Sequence, residues 1–309
     1  MNVAGYLLDS LLANGIDTVF GLGGGSVEPI HDALHERADR IRFVLARHET
    51  AAAFMADAYW RYAGKPAAVL TTSGAGIFNA CNGMAEAFMN RAALVCIAGA
   101  IPQSLMHDSV LQNTSGYGGS PDLAKVFNPL CVFSRVVTNA DDAASAIRSA
   151  VERIHYPRRG PALIILPKDV QTLPCKEAIH TVVGRSPPVS GDLDQVIRAI
   201  DRASVPLLVA GEGVKRQGAR AALQELVRSM NLPVVTTALG GDCFPNRVRA
   251  RRCGRRAFQS RPRASAGRTF AGDGIHGLRG SGHHRRGDRQ AGPRLHRPDR
   301  RRIGDDERR

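Results

Sequence analysis

The feature that most constrains the fold is a regular alternation of short apolar runs with amphipathic segments over residues 1–171. Each apolar run has the length of a buried strand, and the segment after it carries apolar residues at helical spacing. Short connections join the two kinds of segment, as in a parallel sheet with helices on both faces. We therefore predict an α/β fold with a doubly wound, mostly parallel sheet, whose strands are 18–20, 41–46, 67–72, 93–100, 132–137 and 162–167, with 41–46 and 93–100 buried.

Glycine-rich or polar residues follow the first three predicted strands. They are Gly21–Gly25, Arg47-His48-Glu49 and Ser73-Gly74-Ala75-Gly76. Ligands bind at the carboxyl edge of open α/β sheets, so these turns are candidate site segments. Taken alone, each glycine turn also fits a plain strand-to-helix connection, because none matches GxGxxG or a phosphate-binding loop. Glu49 alone also fits a helix cap or a solvated charge.

Two predicted helices adjoin these turns. The alanine-rich segment from Thr50 to Tyr62 is predicted to be a helix that packs closely against its neighbours. A single helix after the third turn is predicted to direct Ile77, Met84, Ala87 and Phe88 inward. A long loop, residues 101–120, follows the fourth strand.

A second α/β unit begins near Asp192. Apolar runs at 206–213 and 232–237 flank a helical segment at 219–230, which again predicts a strand-helix-strand unit. We predict a first domain at 1–172, a linker at 173–191 and a partial second domain at 192–246. About fifty-five residues are fewer than a domain normally contains.

The composition changes abruptly after Asn246. Residues 247–309 contain 20 arginines, no lysine and six acidic residues, so their net charge of +14 equals that of the whole chain. This composition is typical of GC-rich codons read out of frame, and we interpret the segment as a frameshifted tail. The alternative is an arm that binds nucleic acid non-specifically through its arginines. Either way, its low apolar content predicts disorder.

Composition also bears on location. The chain has no apolar run long enough to span a bilayer and no signal-peptide pattern at its start. Its six cysteines are scattered without a CxxC pair, which is typical of reduced thiols rather than disulfides or a metal site. We predict a cytoplasmic protein that has no membrane partner and no metal ligands of its own.

Taken in order, the turns form a distinctive series. GLGGG, RHE and TSGAGxxN follow successive strands, Gln112 lies in the loop after the fourth, and GPALIILPKDVQ closes the domain at 160–171. This series resembles the pyrimidine-binding domain of thiamine diphosphate enzymes, in particular the acetolactate synthase-like group. The resemblance covers residues 1–172 and continues more weakly through the start of the family's central domain to Asn246.

The resemblance implies roles for individual residues. In the family, the glutamate of RHE hydrogen-bonds N1′ of the coenzyme's aminopyrimidine, and here that residue is Glu49. Gly23 and Ala75 stand where the family has proline, and Leu111-Gln112-Asn113 replaces Phe-Gln-Glu, which leaves the substrate open. The resemblance assigns cofactor contacts to Gly24, Gly25, Glu49, Thr72, Gly74, Gly76, Asn79 and Gln112.

The cofactor implied by the family is thiamine diphosphate with Mg²⁺. The family holds the diphosphate and metal on a third domain, through Gly-Asp-Gly followed by asparagine. We interpret Gly272-Asp273-Gly274 as a coincidence, because no asparagine follows Asn246. Gly211 and Gly213 resemble the start of the flavin-binding turn of acetolactate synthases, so FAD stays an open cofactor.

The function implied is carboligation or decarboxylation of 2-oxo acids such as pyruvate, within branched-chain amino acid biosynthesis. The family's coenzyme lies between the pyrimidine domain of one subunit and the diphosphate domain of another. We therefore predict a truncated chain that is inactive alone and that forms a homo-oligomer or pairs with a full-length homologous subunit. The rival hypotheses are a non-catalytic subunit that completes such a partner's site and a nucleic-acid-binding protein.

Overall fold

A computed structural model describes residues 1–155, 158–182 and 192–244. Its main sheet contains β1 (Thr18–Gly21), β2 (Arg42–Leu45), β3 (Ala67–Thr71), β4 (Leu94–Ala100), β5 (Phe133–Val136) and β6 (Pro161–Pro167). The strand order is β2-β1-β3-β4-β6-β5, and all neighbouring strands are parallel. This confirms the predicted α/β fold with a doubly wound parallel sheet.

Helices cover both faces of this sheet. They are α1 (Val3–Ala13), α2 (Glu28–His35), α3 (Glu49–Ala63), α4 (Ala75–Asn79), α5 (Cys81–Met89), α6 (Leu123–Phe127), α7 (Ala140–Arg153) and α8 (Lys168–Gln171). Helix α1 packs with α2, α7 and α8 on one face, while α3 packs with α4 and α5 on the other. The strands β3, β4 and β6 are buried at every residue, so the core lies along the middle of the sheet.

Two local predictions were wrong, and one helix was missed. Strand β2 was expected to be buried, but it forms the edge of the sheet, and Leu45 is 72% exposed. The single helix after β3 is divided at Ala80 into α4 and α5, and Phe88 is only half buried. Helix α6 was not predicted, because a five-residue helix gives too short a pattern for helical spacing to be recognised.

Helices α3 and α5 touch backbone to backbone at Gly83. A Cβ atom at this position would lie 2.4 Å from Ala53 Cβ and 2.9 Å from the backbone nitrogen of Phe54. The alanines of α3 and this glycine of α5 therefore permit the close packing that the alanine-rich sequence predicted. This contact holds the helix that begins with Glu49 against the rest of the fold.

A charged side chain is fully buried beneath this pair of helices. Asp57 of α3 has no exposed surface, and its carboxylate accepts hydrogen bonds from Asn90 Nδ2 at 3.2 and 3.4 Å. Arg61 Nε lies 2.9 Å from Asp57 Oδ2. Burial is the largest effect on Asp57 and raises its pKa, Glu86 raises it further, and Asn90 and Arg61 lower it.

An Asp57→Asn variant is expected to become more stable relative to wild type as the pH rises. The folded-state pKa of Asp57 is raised above the unfolded value of about 3.8, so wild-type stability falls as the pH rises between these two values. Asparagine does not titrate and escapes this loss. Urea unfolding of both proteins at about five pH values from pH 4 to pH 8 measures the difference in their free energies of unfolding.

Asp122→Asn provides a control of opposite sign. The backbone N–H of Lys125 is the first cause that holds the pKa of Asp122 below its ordinary value. Its stabilising effect is therefore lost as the pH falls, so the variant should lose stability relative to wild type as the pH rises. Equal pH profiles for Asp57→Asn and wild type would contradict the account of Asp57.

Residues 173–182, at the start of the predicted linker, lie along α1. Asn14 Nδ2 donates to the carbonyl of His180 at 2.9 Å, and the N–H of Val182 donates to Asn14 Oδ1 at 2.7 Å. The Asn14 side chain therefore binds the backbone of residues 173–182 at two positions. The predicted linker between residues 183 and 191 falls outside the described residues.

The second unit contains a two-stranded parallel sheet within the described residues. Its elements are α9 (Leu193–Arg202), β7 (Leu208–Ala210), α10 (Gly213–Arg216), α11 (Arg220–Met230) and β8 (Val234–Thr236). Leu223 and Val227 of α11 pack with Ala210 in a small separate core. Arg216 of α10 donates to the carbonyl of Asn90, which joins this unit to the end of α5.

The arginine-rich segment 247–309 lies outside the described residues. Its predicted disorder, its origin in a frameshift and its nucleic-acid binding therefore stay predictions. In the described part of the chain, no helix is long and apolar enough to cross a membrane.

Candidate active site

The candidate site lies between β1 and β3, where the order in which strands are added to the sheet changes direction. From β1 the chain crosses in one direction to β2, and then returns past β1 to add β3 on the other side. The turns after β1 and β3 consequently leave the sheet toward opposite faces, which opens a crevice at its carboxyl edge. The predicted site residues come from the turns that follow β1, β2, β3 and β4.

Glu49 is the first residue of α3 and is 8% exposed. His48 precedes the helix in an extended conformation, and its Nδ1 accepts a hydrogen bond from the N–H of Thr50 at 3.3 Å. The structure thus gives His48 a capping role. Glu49 Oε2 accepts a hydrogen bond from Asn79 Nδ2 at 3.0 Å. Among the described residues, no group donates to the other oxygen, Oε1.

Two glycines are crowded against Thr72. A Cβ atom at Gly24 would lie 2.4 Å from Thr72 Cβ, and one at Gly76 would lie 2.7 Å from Thr72 Cγ2. A Cβ atom at Gly76 would also lie 3.3 Å from Glu49 Oε1. The backbone at Gly24 and Gly76, the Thr72 side chain and the Glu49 carboxyl therefore form one continuous surface, which we call the glycine cradle.

A second contact brings the loop after β4 to the cradle. Gly74 has a φ of +67°, and a Cβ atom there would lie 2.8 Å from Gln112 Cβ. Gln112 itself has a φ of +63°, which is uncommon for a residue other than glycine. Ser73 Oγ donates to Gln112 Oε1 at 3.3 Å. Such backbone strain clusters at functional sites, which favours a role for Gln112.

One predicted binding residue lies apart from these contacts. Gly25 is exposed, and the nearest atom to a Cβ placed there is Glu28 Oε1 at 4.0 Å. The structure brings together Gly24, Glu49, Thr72, Gly74, Gly76, Asn79 and Gln112 but leaves Gly25 outside this set. Its binding role stays a prediction.

Sequence reasoning missed Ser26, which connects the turns. Ser26 Oγ lies 2.8 Å from Thr72 Oγ1 and accepts the N–H of Ser73 at 2.9 Å. Its carbonyl accepts Gln171 Nε2 at 2.7 Å. Ser26 rests on Gly99 of β4, where a Cβ atom would lie 2.3 Å from its Oγ. A glycine inside a buried strand marks such close approaches and was the available signal.

The described residues contain no group of three histidine, cysteine or acidic side chains that could hold a metal ion. Gly272-Asp273-Gly274, interpreted above as a coincidence, falls outside them. At the turn predicted for flavin, a Cβ atom at Gly213 would meet no atom within 4 Å, and one at Gly211 only Thr237 at 3.8 Å. This turn shows no cradle comparable to that at Gly24 and Gly76, and we derive no step through a flavin.

The sequence matches two models of one family in the expected order. Residues 1–118 match the thiamine pyrophosphate enzyme N-terminal TPP binding domain. Residues 193–262 match the thiamine pyrophosphate enzyme central domain. The chain belongs to the thiamine pyrophosphate enzyme family. The central-domain match extends past Asn246 into the arginine-rich segment.

Relatives of this family member support the acetolactate synthase-like group. The chain is 34% identical to the acetolactate synthase isozyme 3 large subunit of Escherichia coli K12 over 251 residues, which cover 78% of the chain and 42% of the relative. It is 33% identical to the acetolactate synthase large subunit of Parasynechococcus marenigrum over 251 residues, 78% of the chain and 40% of the relative. The chain thus spans about two fifths of these relatives' length.

A solved structure supports the same fold. The thiamine diphosphate-dependent 4-hydroxybenzoylformate decarboxylase of Rhodococcus jostii RHA1 matches with a TM-score of 0.69 and 26% identity. The match covers 77% of this chain and 44% of that chain. The names of these relatives include a synthase and a decarboxylase, so the family alone does not fix the substrate.

Proposed function

We propose that the glycine cradle and Glu49 form the pyrimidine-binding half of a thiamine diphosphate site that acts on 2-oxo acids. The observation that carries this proposal is the Glu49 carboxyl, which is buried at the carboxyl edge of the sheet with Oε1 beside the bare backbone of Gly76. Thr72 fills the space that a Cβ atom would take at Gly24 and at Gly76, so the turns after β1 and β3 approach each other closely beside this carboxyl. An aminopyrimidine that lies against these two turns would present its N1′ to Glu49.

Each residue of the proposed site has a distinct role. When bound, thiamine diphosphate supplies the electron sink for decarboxylation of a 2-oxo acid. Glu49 Oε1 accepts no hydrogen bond from the described residues, so it would be free to hold and exchange a proton at N1′ of the pyrimidine. Thr72, Gly24 and Gly76 form the surface against which the aminopyrimidine ring would lie. Gln112 presents its amide beside Gly74 and is our candidate for contact with the substrate.

The substrate we favour is pyruvate, with acetolactate as the product, because the curated relatives quoted above are acetolactate synthases. This would place the protein in branched-chain amino acid biosynthesis. Five described cysteines, Cys81, Cys96, Cys131, Cys175 and Cys243, are free, which supports a reducing compartment such as the cytoplasm.

The proposed site needs a second half. The described residues supply the pyrimidine side, and groups outside them must hold the diphosphate and Mg²⁺. We propose that a homologous subunit supplies these groups, in a homo-oligomer or beside a full-length partner. The isolated chain is accordingly expected to bind the coenzyme weakly and to be inactive toward pyruvate.

Saturation-transfer NMR on the full chain tests the pyrimidine half directly. We expect the methyl group and ring proton of the pyrimidine in thiamine diphosphate to receive more saturation than the thiazolium methyl group. The Glu49→Ala variant should lose this preference. Equal saturation of both rings, or saturation confined to the thiazolium ring, would contradict the proposal.

A further inference from the structure

We propose that Asn79, held in place by Thr50, is a positioning residue that fixes the orientation of the Glu49 carboxyl. The resemblance assigned Asn79 to cofactor binding, but its side-chain amide contacts the carboxylate. This inference rests on the proposed function, because it concerns which oxygen of Glu49 faces the aminopyrimidine.

The first step is the hydrogen bond between the two side chains. Asn79 Nδ2 donates to Glu49 Oε2 at 3.0 Å, and an amide NH₂ group can only donate. Fixing Oε2 fixes the plane of the carboxyl group. Oε1 is then directed toward the cradle, 3.3 Å from the position that a Cβ of Gly76 would occupy.

The second step is the anchor on the backbone of Asn79. Thr50 Oγ1 donates a hydrogen bond to the carbonyl of Asn79. Thr50 directly follows Glu49 in the first turn of α3, so neighbouring residues of one helix hold both the side chain and the backbone of Asn79. The N–H of Thr50 is itself bound by His48 Nδ1 at 3.3 Å.

The local fold explains why Asn79 needs this anchor. It is the last residue of the five-residue helix α4, and the next residue, Ala80, leads into α5. A helix of this length is marginal without external contacts. Two hydrogen bonds to the start of α3 tie the end of α4 to the carboxyl that it orients.

The test compares two ligands rather than one. Calorimetry with the full chain measures the affinity for thiamine diphosphate and for an analogue in which C–H replaces N1′. Wild type should prefer thiamine diphosphate by about tenfold or more, because a hydrogen bond to a charged group is lost with the analogue. Asn79→Ala should reduce this ratio to about twofold, because the affinity for thiamine diphosphate falls more than the affinity for the analogue. A merely structural role would weaken both ligands equally.

Thr50 offers a matched pair of variants should Asn79→Ala fail to fold. Thr50→Val removes the hydroxyl donor and should lower the ratio, while Thr50→Ser keeps the donor and should restore it. Wild-type ratios in Asn79→Ala and Thr50→Val would overturn the positioning role while the proposed function stands. A ratio near one in wild type would overturn the proposed function and this inference with it.

Discussion

An assembled enzyme that carries Glu49→Gln is expected to turn over pyruvate roughly 10²–10⁴-fold more slowly than the same assembly with the wild-type chain, because a proton exchange at the coenzyme is lost. Glutamine keeps the length of the side chain and an oxygen that can accept the Asn79 hydrogen bond. The hydrogen bond from Asn79 is thereby preserved, so the loss of pyruvate turnover measures the missing proton exchange alone.

The measurement uses this chain co-expressed with a full-length acetolactate synthase large subunit whose own RHE glutamate has been replaced. Acetolactate formation then depends on Glu49. Glu36→Gln is the matched control, because the Glu36 side chain is 71% exposed and follows the C-terminal end of α2, the opposite end from the turn that carries Gly24. An active assembly whose rate is unaffected by Glu49→Gln would contradict the role of Glu49.

Gly83→Ala is expected to lower the free energy of unfolding by about 1–3 kcal/mol, although alanine is the better helix former. The added methyl group would lie 2.4 Å from Ala53 Cβ and 2.9 Å from the backbone nitrogen of Phe54. Neither atom belongs to a flexible side chain, so helices α3 and α5 must separate. Urea unfolding monitored by circular dichroism measures the change.

Gly213→Ala is the matched control for this substitution. A Cβ atom at Gly213 would meet no atom within 4 Å, so the same change there should alter stability by less than about 0.5 kcal/mol. Separation of α3 from α5 should also displace Glu49 at the start of α3. Equal stability of Gly83→Ala and Gly213→Ala would show that the two helices are not in contact at this point.

Much of the fold follows from local pattern. The apolar runs at 67–72 and 162–167 became the buried strands β3 and β6, because central parallel strands are covered on both faces. The run at 41–46 is also mostly apolar but forms the edge strand β2. The order of strands in a sheet is a long-range property, so composition could not distinguish an edge strand from a central one.

The sequence predicted those site residues whose type and position in a motif indicate their chemistry. Glu49 follows from its place between a strand and a helix together with the family resemblance. The structure places Gly76 beside it, and Thr72 contacts both Gly76 and Gly24. Ser26 was missed because its contacts join residues distant in sequence, such as Thr72 and Gln171. The link from Asn79 to Glu49 depends on the break at Ala80, which spacing alone does not show.

The central claim is that the Glu49 carboxyl pairs with N1′ of the coenzyme's pyrimidine. The most direct measurement is a cycle of four affinities, in which wild type and Glu49→Ala each bind thiamine diphosphate and the analogue that lacks N1′. The account predicts that wild type prefers the coenzyme by about tenfold or more and that Glu49→Ala binds both ligands equally. If Glu49→Ala keeps the wild-type preference, N1′ is recognised by another residue and the assignment of Glu49 is wrong.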